Sequence, residues 1–329
     1  MPELRKNIAT NEWVILAIER AKRPEEFSKK ENFAAHMPAH RDDCPLCSGN
    51  EHMTPPDIYQ IGKPWSIRVV PNKYPALSGG QTPKLFSDGV IQTMNGVGNH
   101  EVIIEIPKHN ISIPMMDNSQ IENLIKTYYA RYTGLKSLPY IKHVIIFKNY
   151  GPEAGTSLEH SHSQVIAMPI VPHPVESRLA YALKYFEKEN ECVFCRMIKD
   201  ELKLKDRIVV ESDNFVALIP YAANSPFHTW LMPKRHMSEF DEINEKEIKD
   251  LARVLKDYLY RICQGLGNPS YNLVIRSSPC GEGSSKSFHW YMAFVFRLTQ
   301  MAGFEMGSGM FINTSLPDND AEYLRDFSI

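Results

Sequence analysis

The chain has 329 residues, 43% hydrophobic and 23% charged, the balance of a globular protein whose core needs no disulfide staples. Lys and Arg total 37 against 39 Asp and Glu, a formal charge of −2. No global field therefore draws it onto nucleic acid or an anionic membrane, and any anionic ligand must be held by local donors. At about 100–200 residues per domain, the length predicts two domains or one large one. The apolar runs are too short to span a bilayer, and the opening MPELRKNIATNEW has no signal-peptide core. The expected location is the cytosol.

Taken in order, the elements repeat. Cys44-Pro-Leu-Cys47 is followed by a strand-like WSIRVVPNKYPAL and by HEVIIEIPKH, which ends in Pro107-Lys108-His109. A helix is predicted from about Ser119 to Lys136, with Ile121, Leu124, Ile125, Tyr128, Tyr129 and Tyr132 at helical spacing. HVIIFKNY reads as a buried strand. A small-residue loop, GPEAGTSLE, then leads to His160-Ser161-His162-Ser163-Gln164. Three prolines in the stretch after it place the boundary between halves at 172/173, before a helical stretch around Leu179, Leu183 and Phe186.

The second half runs in the same order: Cys192-Val-Phe-Cys195, RIVVESDNFVALIP, then HTWLMPKRH ending in Pro233-Lys234-Arg235-His236. A helix follows with Ile248, Leu251, Leu255, Leu259 and Ile262 on one face. YNLVIRSS is the strand, PCGEGSSKS the loop, and His289-Trp290-Tyr291 the end. Val144 to His160 and Leu273 to His289 are equally long. Agreement at four ordered landmarks argues for internal duplication rather than chance.

Four of the six cysteines form the two C-x-x-C pairs, which in a cytosolic chain act as metal ligands or redox thiols. Cys263 and Cys280 read as incidental thiols. Tetrahedral zinc takes two thiolates from a tight knuckle plus two imidazoles. The halves offer Cys44, Cys47, His109 and His160, and Cys192, Cys195, His236 and His289, as two structural Zn²⁺ sites. The competing redox reading needs the pair to open a helix. Ser-Gly-Asn-Glu after Cys47 reads as a turn, whereas Arg-Met-Ile after Cys195 could enter a helix.

In HSHSQ a strand's period of two puts His160, His162 and Gln164 on one face. With His160 pinned by metal, His162 is rigidly held one step along, as a nucleophile or acid–base should be. Gln164 can offer an amide N–H to a charged oxygen, and the GPEAGTS loop can bring backbone N–H groups and Ser157 to a phosphate. The competing readings are two zinc ligands, or a hydrogen-bonded core histidine.

On these motifs the chain resembles the galactose-1-phosphate uridylyltransferase branch of the histidine-triad superfamily along nearly its whole length. The resemblance implies an α+β fold of two tandem histidine-triad-like units, residues 1–172 and 173–329, each an antiparallel sheet covered by helices. It implies ping-pong transfer of UMP from UDP-glucose to galactose 1-phosphate through a nucleotidyl-histidine on His162, assisted by Gln164. Arg20, Arg23, Asn72, Asn149 and Ser157 take the positions of nucleotide and phosphate contacts. Phe304, Glu305 and Asn313, in RLTQMAGFEMGSGMFIN, take those of sugar contacts. The partners implied are a nucleotide sugar and a sugar phosphate, with neither nucleic acid nor membrane, and a homodimer in which one subunit's C-terminal segment approaches the other's site. Ser161 departs from the proline of the best-known uridylyltransferases, and HSHSQ is similar to the ADP-glucose phosphorylases, which move AMP to inorganic phosphate. Tyr291 stands at the second-half match to His162, so only the first half can hold a nucleophilic histidine. Ala293 stands where relatives often carry an acidic residue. A zinc-stabilised nucleotide-binding module without catalysis is the alternative of another class.

Overall fold

The structure, a computed structural model, describes residues 1–28, 34, 36–281 and 285–328. The strands in chain order are β1 (Glu3–Lys6), β2 (Trp13–Leu16), β3 (Tyr59–Ile61), β4 (Ile67–Pro71), β5 (Leu85–Asp88), β6 (Ile91–Met94), β7 (Asn99–Ile104) and β8 (His143–Tyr150), then β9 (His162–Met168), β10 (Ile208–Glu211), β11 (Phe215–Leu218), β12 (Thr229–Pro233), β13 (Tyr271–Arg276), β14 (Tyr291–Phe296) and β15 (Phe311–Asn313). The helices are α1 (Asn118–Lys136), α2 (His173–Glu189), α3 (Val193–Leu204), α4 (Glu245–Leu266), α5 (Gly303–Ser308) and α6 (Pro317–Arg325).

Ten strands form one sheet in the order β10-β11-β12-β14-β13-β8-β9-β7-β4-β3, with every neighbouring pair antiparallel. Read outward from the centre, β8-β9-β7-β4-β3 mirrors β13-β14-β12-β11-β10, which is the duplication seen in the sequence. The two expected sheets are fused: β8 pairs with β13, setting Tyr150 across from Tyr271 and Ile146 across from Ile275. Pairing removes two edges that would each expose a row of unsatisfied N–H and C=O groups.

Helices α1 and α4 cover one face of this sheet, packed on each other and on β8 and β11. Asp117 caps α1 by accepting from the Gln120 N–H at 2.8 Å, and an Asn244–Glu247 capping box starts α4. Their buried stripes, Ile121, Leu124, Ile125, Tyr128 and Tyr132 on α1 and Ile248, Leu251, Leu255, Leu259 and Ile262 on α4, join Ile67, Ile103, Val165 and Leu273 in one core. The opposite face carries two smaller clusters. Cys44, Leu46 and Cys47 lie on Val70 and Ile104 in the first half, and Cys192, Phe194 and Met197 on Trp230 and Tyr291 in the second.

Two features carry no strong sequence pattern. The hairpin β5–β6 is almost wholly exposed. The small sheet β1-β2-β15 joins the two ends of the chain, with β15 parallel to β2. No described helix is long and apolar enough to cross a membrane.

Candidate active site and metal centres

The two knuckles converge with their histidines. Donor atoms of Cys44, Cys47, His109 and His160 all lie within 4.8 Å of one another, and so do those of Cys192, Cys195, His236 and His289. In the first set Cys47 Sγ is 3.5 Å from the Nδ1 atoms of both His109 and His160. In the second, Cys195 Sγ is 3.2 Å from His236 Nδ1 and 3.5 Å from His289 Nδ1. Zn–S of about 2.3 Å and Zn–N of about 2.0 Å at a tetrahedral angle put S and N about 3.5 Å apart. The rings of each histidine pair meet edge-on, at 82° and 81°.

Outer contacts fix the tautomers of three of these four histidines. His160 Nε2 donates to the Ile106 carbonyl at 2.7 Å, His289 Nε2 to that of Pro233 at 2.9 Å and His236 Nε2 to that of Ser285 at 3.2 Å. Each Nδ1 is left as a lone pair facing the thiols. Burial pushes the Cys44 thiol up to about 11, so a thiolate there is stable only beside a cation. Each group therefore fits a metal ion. Cys192 is the N-cap of α3, so the second knuckle does open a helix, as a redox pair would. The two histidines converging on Cys195 are what a metal site needs and a dithiol does not.

Strand β9 begins at His162, and alternation sends its side chains two ways. Ser161 and Ser163 point to the α1 side, into a buried polar network. Lys148 Nζ lies 2.7 Å from Glu105 Oε2, 2.9 Å from Ser161 Oγ and 3.2 Å from the His162 carbonyl. Ser161 and Ser163 both donate to Glu105, and Tyr128 meets Ser163 Oγ at 2.6 Å. Glu105 and Lys148 are 0% and 1% exposed. Burial pushes the Glu105 carboxyl up, but the Lys148 ammonium and the two serines outweigh it and hold it below the ordinary value.

The other face of β9 meets a cavity of about 680 Å³ lined by His162, Gln164, Asn72 and Ser157, among apolar Leu46, Val70, Val102 and Leu158. His162 Nδ1 donates to the His160 carbonyl at 2.8 Å. The metal-site residue thereby orients the ring and leaves Nε2 as the free lone pair. Burial lowers the His162 pKa, so the ring is neutral and nucleophilic at pH 7. Gln164 is oriented by a residue that the sequence did not single out. His100 Nδ1 accepts from the Ala76 N–H at 3.1 Å, so its Nε2 carries the proton and donates to Gln164 Oε1 at 2.7 Å. With that oxygen engaged, the Gln164 amide N–H groups are the ones left for a ligand. Asn72 Oδ1 accepts from the Tyr74 N–H at 2.8 Å, which fixes that amide too. Gly151 and Gly155, at φ of 82° and 77°, supply the positive-φ positions, the second of them left-handed, that carry the loop to Ser157. The β8–β9 register pairs Phe147 with Gln164; continued, it sets Asn149 across from His162, and Asn149 Oδ1 accepts from Asn272 at 2.7 Å.

The N-terminal-domain model of the galactose-1-phosphate uridyl transferase family matches residues 1–172, and its C-terminal-domain model matches residues 179–305. The chain belongs to the galactose-1-phosphate uridylyltransferase family. The ADP-glucose phosphorylase of Arabidopsis thaliana is 36% identical over 100% of this chain and 93% of its own length. The galactose-1-phosphate uridylyltransferase of Thermotoga maritima is 30% identical over 100% of this chain and 99% of its own. The crystal structure of an Arabidopsis thaliana ADP-glucose phosphorylase with bound ADP-glucose superposes with a TM-score of 0.84 at 34% identity, covering 100% of this chain and 99% of that one.

The family resemblance also pointed to residues that the fold keeps away from this cavity. Arg20 and Arg23 are exposed around the turn after β2. Phe304 and Glu305 lie on α5, and Glu305 accepts from the Ala302 N–H at 3.0 Å. None of the four lines the His162 cavity. The two segments are neighbours nonetheless, because β15 pairs with β2 and Lys22 N–H donates to the Thr314 carbonyl at 3.0 Å. Asn313 is held inside the fold. It is 0% exposed, donates to the Ala223 carbonyl and accepts from the Ser315 N–H, both at 2.9 Å. These bonds tie down a turn. His100, Glu105 and Lys148 went unmarked in the sequence, although a charged residue inside or beside an apolar strand run, as in HVIIFKNY, is the signal that finds the last two.

Proposed function

We propose that this chain is a nucleotidyltransferase that moves UMP from UDP-glucose to a hexose 1-phosphate, galactose 1-phosphate, through a covalent intermediate on His162. The observation that carries the reading is the imidazole itself: Nδ1 bonded to a metal-site carbonyl, and Nε2 free in a cavity beside Gln164. In the first displacement His162 Nε2 attacks the α-phosphorus. The N–P bond forms, the bond to the bridging oxygen breaks, and glucose 1-phosphate leaves. The His160 carbonyl accepts the N–H of a ring that has become positive. In the second, a phosphate oxygen of galactose 1-phosphate attacks the same phosphorus, and the N–P bond breaks to restore His162. Gln164, Ser157, Asn72 and Asn149 supply donors and positioning around the phosphates.

In this reading Arg20, Arg23, Phe304 and Glu305 serve the cavity of a second copy of the chain, and the pairing of the two segments that carry them, β15 on β2 and Lys22 on Thr314, supports it. The reading includes two zinc ions per chain in structural sites, the first stiffening His160 and hence His162. Cys47→Ala is expected to lose one of two metal equivalents and most adduct formation. Cys195→Ala should lose the other equivalent and retain adduct formation. Metal analysis alongside adduct measurement checks both; two equivalents retained in either variant would count against the site, and reversible dithiol cycling of metal-free protein would favour the redox alternative.

The test of the reaction is intact-protein mass after separate incubation with UDP-glucose and ADP-glucose, without acceptor. A UMP adduct establishes uridylyl transfer. A second reading, ADP-glucose phosphorylase, is favoured by the full-length relative of that name and by Ser161, whose hydroxyl is built into the Glu105–Lys148 network. An AMP adduct, discharged by inorganic phosphate, would move the assignment there. No adduct with either donor would leave the non-catalytic module.

A further inference from the structure

The duplication gives the second half a counterpart of the His162 cleft. Tyr291 opens β14 as His162 opens β9, and Ala293 stands where Gln164 does. A separate cavity of about 320 Å³ lies there, lined among others by Arg178, Arg276, Tyr291, His228, Trp230 and Glu12. Its wall carries three guanidinium groups, of Arg178, Arg276 and Arg297, against two carboxylates, of Glu12 and Glu305. The Arg276 guanidinium makes no hydrogen bond or ion pair with any described residue. Burial first, and the nearby positive charge of Arg178, lower its pKa. Among the described residues Arg178 reaches only Glu12, at 3.8 Å, and its buried Nε has no partner. His228, 7% exposed, accepts from Trp230 Nε1 at 2.9 Å through Nε2, which leaves its buried Nδ1 as an N–H with no acceptor among the described residues. The Tyr291 hydroxyl bonds to no described residue, and burial keeps it protonated. The remaining carboxylate at the rim, Glu305, is occupied with its own helix N-terminus, and Arg297 with Asn272 at 2.6 Å.

Two guanidinium groups that share one carboxylate, Glu12, 3.8 Å from Arg178, and a phenol are complementary to an oxygen-rich dianion, because guanidinium forks match phosphate oxygens. We propose that Arg178, Arg276 and Tyr291 form a second, non-catalytic site for a phosphate group, either inorganic phosphate or the phosphate of a monosaccharide monoester. The volume is at the low end of ligand pockets, and the facing aromatics are occupied with each other, Trp230 stacking on Tyr291 at 4.4 Å. Both features select a small phosphate over a nucleotide sugar. Tyr291 in place of His162 offers no imidazole to attack phosphorus, so the site binds without transfer. It stands whichever nucleotide the first cleft handles.

The test is titration of the full chain with inorganic phosphate, and separately with glucose 1-phosphate, by calorimetry. Inorganic phosphate should bind the unmodified chain. Arg178→Gln and Arg276→Gln should each weaken that binding at least tenfold, and Tyr291→Phe a few-fold. Glucose 1-phosphate binding retained in His162→Gly but lost in Arg276→Gln assigns the sugar ester to this site; loss only in His162→Gly leaves inorganic phosphate as its ligand. On the unmodified protein, phosphate should protect Arg178 and Arg276 from phenylglyoxal, a readout that needs no variant to fold. No phosphate binding, or binding unchanged in both arginine variants with neither arginine protected, overturns the proposal.

Discussion

His162→Gly is expected to abolish nucleotide adduct formation and to lower turnover by at least about 10³-fold, the scale of losing a covalent nucleophile. The expectation follows from geometry. His162 is 5% exposed, its Nδ1 is engaged by the His160 carbonyl at 2.8 Å, and its Nε2 has the cavity before it. Gln164 and Asn72 can orient a phosphate but cannot bond to phosphorus. The variant should keep its metal content, because His160 and the other ligands are untouched. Gln164→Ala should act differently, slowing transfer by about 10–10³-fold while still forming adduct, as removal of one oxyanion donor does. Single-turnover adduct formation with metal analysis checks both. An adduct on His162→Gly would remove His162 from the role and return it to a core histidine.

The second large effect is on stability. Lys148→Met leaves the Glu105 carboxylate buried without its cation, and breaking such a pair costs about 3–5 kcal/mol. The lost stability should appear as a lower urea midpoint. The double variant Glu105→Leu/Lys148→Met should recover part of it, because the uncompensated charge is gone. The double variant also tests position: Lys148 holds the His162 carbonyl at 3.2 Å and Ser161 Oγ at 2.9 Å, so adduct formation should stay slow even where stability returns. Recovery of both together would make the network purely structural.

Much of this was legible in the amino-acid order. The helical stripes of α1 and α4 declared themselves because burying one face of a helix imposes a period near 3.6. The alternation in HSHSQ placed His162 and Gln164 together, because successive strand side chains face opposite ways. The ligand sets could be paired across long gaps because the chain says everything twice. The N-terminal Arg20 and Arg23 and the C-terminal Phe304 and Glu305 could not be placed on one surface, since a three-residue strand such as β15 has too little pattern to name its partner. Nor could the motif around Asn313 show that its amide is buried and bonded to the backbone at Ala223 and Ser315.

By itself the sequence determined what is local or repeated: the C-x-x-C knuckles, their histidines, the amphipathic helices, and His162 at the position where Tyr291 stands in the other half. The tertiary structure decided what depends on long-range pairing. Joining β8 to β13 fused two sheets into one. Folding β7 against β9 brought His100 to Gln164 and so chose which end of the amide faces the cavity. The same fold set Arg276 beside Arg178 with too few carboxylates between them. Such contacts join residues far apart in the chain, and hydrogen-bond direction and uncompensated charge exist only once those residues meet.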